Sequence, residues 1–190
     1  LMLNQSNIQQ LKMLEFGDIT GTLEEVINTF EWSMLQDSFN KAKTILLVGH
    51  GGNLAVADHI SVDITRLTNS KKSTICPSSA IVATSYVNDI GFDNWMNCWL
   101  KSLLPSLEVE KTLLIGISSS GRSKDISNLF IEAQKENIKT AIITAKKSEE
   151  IKSNIQVVTN AKSYHSSEII ALALGYQLVH GFGFNCPAIG

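Results

Sequence analysis

Thr112-Leu-Leu-Ile-Gly-Ile117 runs without a break into Ser118-Ser119-Ser120-Gly121-Arg122-Ser123, and Lys124-Asp125-Ile126 follows at once. The first six residues are apolar rather than alternating, which is what a strand covered on both faces requires. The change to hydroxyls, one glycine and then helix-forming residues marks a strand, a tight turn and a helix start. Outward from this stretch the same grammar repeats. Thr44–Val48, Ser73–Cys76, Thr140–Thr144 and Ile155–Val158 read as further strands. Asn53–Leu67, Ser79–Val87, Asn94–Leu104, Ser123–Asn137 and His165–Phe182 read as helices between and after them. Alternating strands and helices with short connections predict an α/β fold, a three-layer αβα sandwich around a five-stranded parallel sheet. Before it, Thr22–Lys41 spaces Leu23, Val26, Ile27, Phe30, Met34 and Leu35 as one amphipathic helix, with Thr22 and Glu25 as a capping box. Residues 1–190 thus read as a single domain, with a tail and helix over 1–41 and the α/β core over 42–190.

The 190 residues, 44% hydrophobic and 18% charged, are balanced for one globular domain. A net charge of −2 without Lys/Arg runs offers nothing to a nucleic-acid backbone. Cys76, Cys98 and Cys186 are odd in number and widely spaced, which fits a reducing cytoplasm. The first fourteen residues interleave Asn and Gln with apolar residues and lack the form of a signal peptide. No stretch reaches the roughly 20 apolar residues of a membrane span.

In a doubly wound sheet, ligands bind beyond the carboxyl ends of the strands, so the turns after the first and third strands matter most. The first is Gly49-His50-Gly51-Gly52-Asn53, opening a helix. Free amide groups at a helix start make an anion site in outline, and a plain tight turn is the other reading. It is not a dinucleotide fingerprint, because Leu54 takes the third glycine position and no acidic residue lies near Asn69, so no nucleotide cofactor is expected. The second turn brings the hydroxyls of Ser118, Ser119, Ser120 and Ser123 to a helix start. Hydroxyls and oriented amides can hold a phosphate with little help from cations; alternatively Ser123 is only an N-cap.

This pair of turns resembles the signature turns of the sugar isomerase (SIS) family, a flavodoxin-like fold whose Ser/Thr-rich turn clasps a sugar phosphate. Asn88-Asp89-Ile90-Gly91-Phe92 is similar to a segment of the phosphoheptose isomerase branch. The resemblance implies sugar-phosphate binding by Gly51, Gly52, Asn53, Asp89, Ser118, Ser119, Ser120 and Ser123. It implies an aldose–ketose isomerisation of sedoheptulose 7-phosphate, feeding heptose supply for surface polysaccharide. The family's zinc ligands fall on His59 and Asp63, and Asp63 is one methylene shorter than the family's Glu. A His and a Gln come from the last helix, where His180, Gln177 and Glu168 allow more than one alignment: starting from Glu168, Gly175 takes the place of the His. Asp63 and His180 are thereby the candidate acid/base pair, and His59, Asp63 and His180 the candidate zinc ligands. Arg66 is a further candidate contact. The family builds homo-oligomers, dimers or tetramers, on such N-terminal helices. A second reading is a non-catalytic regulator or interaction scaffold on the same fold.

Overall fold

The structure, a computed structural model, describes residues 16–189. The sequence-predicted tail, residues 1–15, lies outside the described residues. Five strands, β1 (Thr44–Gly49), β2 (Ser73–Ile75), β3 (Thr112–Ile117), β4 (Lys139–Thr144) and β5 (Ile155–Val158), pair in parallel in the order β2-β1-β3-β4-β5. β1 pairs with β3 over its whole length, Thr44 opposite Thr112 and Gly49 opposite Ile117. The order reverses between β1 and β3. Their carboxyl ends, and the two turns read above, therefore flank the switch-point crevice.

Alternate residues of each strand feed two separate cores, as burial on both faces demands. Ile45, Leu47, Leu113, Ile115, Ile117, Ala141 and Ile143 point to one core. It is closed by α1 (Phe16–Ile27), α2 (Phe30–Lys41), α3 (Gly52–Leu67) and α7 (Tyr164–Gly181). Leu46, Val48, Leu114 and Ile142 point to the other, closed by α5 (Trp95–Leu103) and α6 (Lys124–Lys135). Between β2 and α5, α4 (Ala80–Ile90) has no fully buried residue, and its Ile81 is 80% exposed. No helix among the described residues is long and apolar enough to cross a membrane.

The expected single N-terminal helix is two. Thr29 breaks it: its extended backbone stands at the N-cap of α2 and its Oγ1 accepts from the Trp32 amide at 3.1 Å. The apolar spacing continues across the break, so periodicity alone joins the two. One buried cation braces this corner. Lys72 is 1% exposed, and its Nζ donates to the carbonyls of Phe39 (2.6 Å), Ala42 (2.7 Å) and Asn40 (3.3 Å), closing the carboxyl end of α2. The ammonium also lies over the Phe39 and Phe182 rings, 4.7 and 3.9 Å from their centroids.

Candidate functional site

After β1 the chain turns through Gly51, whose φ of +55° lies in the left-handed region that glycine enters at little cost. This lets α3 start immediately at Gly52. A Cβ on Gly52 would lie 2.3 Å from the Glu168 carboxyl, so the first turn of α7 rests against the glycine turn. After β3, the serine turn folds back on itself. Ser118 and Ser119 are buried, and Ser118 Oγ lies 3.1 Å from Ser123 Oγ. Ser123 occupies the N-cap of α6, but its hydroxyl makes no cap bond and is turned to Ser118 instead. The two turns are linked directly: Asn53 Nδ2 donates to Ser119 Oγ at 3.1 Å. The structure thus brings Gly51, Gly52, Asn53 and the serines together at one sheet edge.

α6 opens onto the same edge. Its Ile126 amide is taken by Asp125 Oδ1 and its Ser127 amide by the Ser123 carbonyl, leaving the Lys124 and Asp125 amides without intrahelical partners. A cleft of about 450 Å³ lies beside the serine turn, lined by Ser119–Arg122 and by residues 145–150 and 161–164 after β4 and β5. Arg122, Lys146, Lys147 and Lys162 line it together with Glu149 and Glu150, so an anion there meets hydroxyls and four cations against two carboxylates.

Asp63 and His180 are placed further along their helices from this edge. α3 and α7 start beside each other at the ligand edge and run back along the sheet in the same direction, with Gly175 seated against Ile60. Asp63 lies ten residues beyond Asn53, about 15 Å along the helix axis. Its carboxylate is engaged: Oδ2 accepts from Tyr176 Oη at 2.8 Å, Oδ1 accepts from Arg66 at 3.1 Å, and His59 Nε2 lies 3.3 Å from Oδ2. Burial, and then the Asp63 carboxylate, pushes the Tyr176 phenol up to about 12. Tyr176 escaped the sequence reading, and its place one turn from Leu172 and beside Gln177 gave no signal. His180 is exposed and twelve residues beyond Glu168, about 18 Å along α7. Asp89 is exposed at the end of α4, where it accepts from Asn88 Nδ2 at 3.1 Å.

As zinc ligands, His59 and Asp63 form a pair without a third. Among the described residues no group of three or more His, Cys, Asp or Glu is placed to hold a metal ion. Both Asp63 oxygens already accept hydrogen bonds. Among the described residues, one chain brings only this pair of the candidate ligands together.

One arrangement was invisible in the sequence. His50, inside the glycine turn, reaches the carboxylate of Asp125 in the first turn of α6, with Nε2 2.9 Å from Oδ1 and 2.8 Å from Oδ2. Seventy-five residues separate the two, and no local pattern announces the pair.

Comparison with known proteins places these features in a family context. No protein-family model matches the chain. Its sequence is similar to the phosphoheptose isomerase of Sulfurimonas denitrificans, 33% identical over 109 residues, covering 55% of this chain and 53% of that protein. It is also similar to that of Campylobacter concisus, 26% identical over 148 residues, covering 75% and 73%. The chain spans about half the length of the Sulfurimonas relative it matches. In three dimensions it resembles the phosphoheptose isomerase of Neisseria gonorrhoeae, with a TM-score of 0.70 at 17% identity, covering 88% of this chain and 94% of that one. That of Francisella tularensis gives 0.69 at 16%, covering 95% and 98%. The sugar isomerase domain of a transcription factor from Sphaerobacter thermophilus gives 0.60 at 17%, covering 90% and 89%. The five-stranded parallel sandwich is therefore the sugar isomerase fold, and the sequence similarity runs to the phosphoheptose isomerases.

Proposed function

We propose that this chain is a sugar-phosphate isomerase acting on sedoheptulose 7-phosphate, interconverting it with the aldoheptose 7-phosphate. The observation that carries the reading is the Asn53–Ser119 link. It joins the glycine and serine turns into one polar rim at the β1/β3 switch point, in a chain whose sequence relatives are phosphoheptose isomerases. The phosphate is assigned to the hydroxyls of Ser119, Ser120 and Ser123 and the free amides of α6, where developing charge is balanced without reorganisation. Gly51, Gly52, Asn53 and Asp89 are assigned to the sugar.

Isomerisation needs a base for the proton beside the carbonyl and an acid for the oxygens. Asp63 and His180 are the family-derived pair for those roles. Because His180 stands far along α7 from the serine turn, that pair requires the site to be completed between subunits of a homo-oligomer, a dimer or tetramer. Zinc would likewise need a ligand from a second subunit beside His59 and Asp63. A cytoplasmic enzyme of carbohydrate metabolism is the setting proposed.

The test is incubation of the purified protein with sedoheptulose 7-phosphate, with and without added zinc, following the aldoheptose phosphate by NMR. Turnover in either condition supports the assignment. Saturable binding without turnover in both refutes it and indicates a sugar-phosphate-binding regulator.

A further inference from the structure

His50 has no role in the assignment above, yet it stands inside the glycine turn at the ligand edge. Its side chain is 32% exposed, while that of Asp125 is fully buried. Asp125 Oδ1 also accepts from the Ile126 amide at 3.0 Å, and Oδ2 from Trp95 Nε1 at 3.0 Å. An amide and an indole N–H can only donate, so both carboxylate oxygens act as acceptors. His50 Nε2 must then carry the hydrogen it shares with Asp125, which leaves Nδ1 as the free nitrogen. The ring is fixed from a third side by Phe92, 5.4 Å away and tilted by 31°. A carboxylate sealed in the second core, held by two obligate donors and aimed at a half-exposed imidazole, fixes both its tautomer and its direction. The side chain is nonetheless a third exposed, within the glycine turn that opens α3.

We infer that His50, in place of the family-derived Asp63, whose carboxylate Tyr176 and Arg66 engage, is the proton-accepting base of the isomerisation and that Asp125 is its positioning residue, an inference that rests on the isomerase reading. Nδ1 takes the proton from the carbon beside the ketose carbonyl. The C–H electron pair becomes the carbon–carbon double bond, and the carbonyl pair moves onto its oxygen, giving an enediolate. The imidazolium then returns the proton to the former carbonyl carbon. As it does so, the neighbouring hydroxyl passes its proton to the enediolate oxygen and becomes the new carbonyl, so the aldose forms and His50 is neutral again. Asp125 stabilises the imidazolium between the two transfers. The base then comes from the same turns that hold the substrate, within one chain.

The experiment compares wild type, His50→Gln, His50→Asn and Asp125→Asn, each first checked for a cooperative melt. Turnover is measured on sedoheptulose 7-phosphate, and binding is measured separately with its borohydride-reduced alditol phosphate, which has no carbonyl to react. Loss of a general base lowers kcat by about 10²–10⁴-fold. That loss is expected in both His50 variants, with a smaller loss in Asp125→Asn and alditol binding within about threefold of wild type in all. If the His50 variants keep kcat within about threefold of an active wild type, the inference falls and the isomerase reading stands. If turnover and alditol binding fall together, His50 is a structural fastener and the inference also falls. An inactive wild type overturns both.

Discussion

Replacing Lys72 with methionine keeps the length of the side chain and removes its charge, which separates two large opposing effects. The three carbonyls at the end of α2 lose their donor, and the two in short contact, those of Phe39 and Ala42, become unsatisfied in a buried position. Each such orphan costs about 1–3 kcal/mol. Against this, burial pulls the Lys72 ammonium down from 10.5 to about 8. At about 1.36 kcal/mol per pH unit, the folded state spends about 3 kcal/mol on keeping that charge below pH 8. The variant is relieved of this cost, so near neutral pH its stability should lie between about 1 kcal/mol above and about 3 kcal/mol below that of wild type. Between pH 8 and 10.5 the unfolded wild type binds a proton that the folded form has released, so wild-type stability rises with pH. Above 10.5 both states are neutral and the charging cost is gone. The gap between wild type and Lys72→Met should therefore widen by about 3 kcal/mol from pH 7 to pH 10.5. Urea unfolding of both proteins across that range measures it, with equal m-values as the check that the denatured states match. A gap that stays constant or narrows with rising pH would refute this account of the buried cation.

Three further outcomes follow from the packing. Gly52→Ala would push a methyl group into the Glu168 carboxyl, so alditol phosphate binding should weaken at least tenfold, about 1.4 kcal/mol, as the glycine turn shifts, measured by calorimetry. The phenol of Tyr176, held up at about 12, gives stability that is complete below pH 10 and lost as pH rises towards 12. Ultraviolet titration should therefore show one late-ionising tyrosine, absent in Tyr176→Phe and ionising earlier in Asp63→Asn. Thr29→Ala removes the cap that starts α2 and should cost about 1 kcal/mol in denaturant unfolding.

The sheet was readable almost to the residue because its strands are uninterrupted apolar runs. β3 and β5 begin and end where the pattern places them, and β1 runs one residue further, into Gly49. The break between α1 and α2 was not readable from periodicity, since Val26, Ile27 and Phe30 keep helical spacing across it; Thr29 carried the signal as a capping residue. Phe30, 75% exposed, then shows that not every residue on the apolar stripe was spent on burial. At the site, the two turns were legible because glycine and serine clusters after strands have local meaning. The Asn53–Ser119 and His50–Asp125 links were not legible, because the β1–β3 pairing brings their residues together, and Trp95 joins Asp125 only through the packing of α5 on α6. The sequence offered Asp63 beside His59 alone, and Tyr176 and Arg66 also engage it in the folded chain.

The two cores also differ in when they can be completed. The one beneath α5 and α6 is assembled mainly from the middle of the chain, by neighbours in sequence. The other needs α1 and α2 from near the start and α7 from near the end. A ribosome making this chain would release the middle layer ready to fold while the opposite side of the sheet still waited for α7. During that interval the part of this core that Ile170, Leu174 and Leu178 complete would stay open. The time between emergence of β3 and of α7 would then set how long that face of the nascent sheet is open to aggregation.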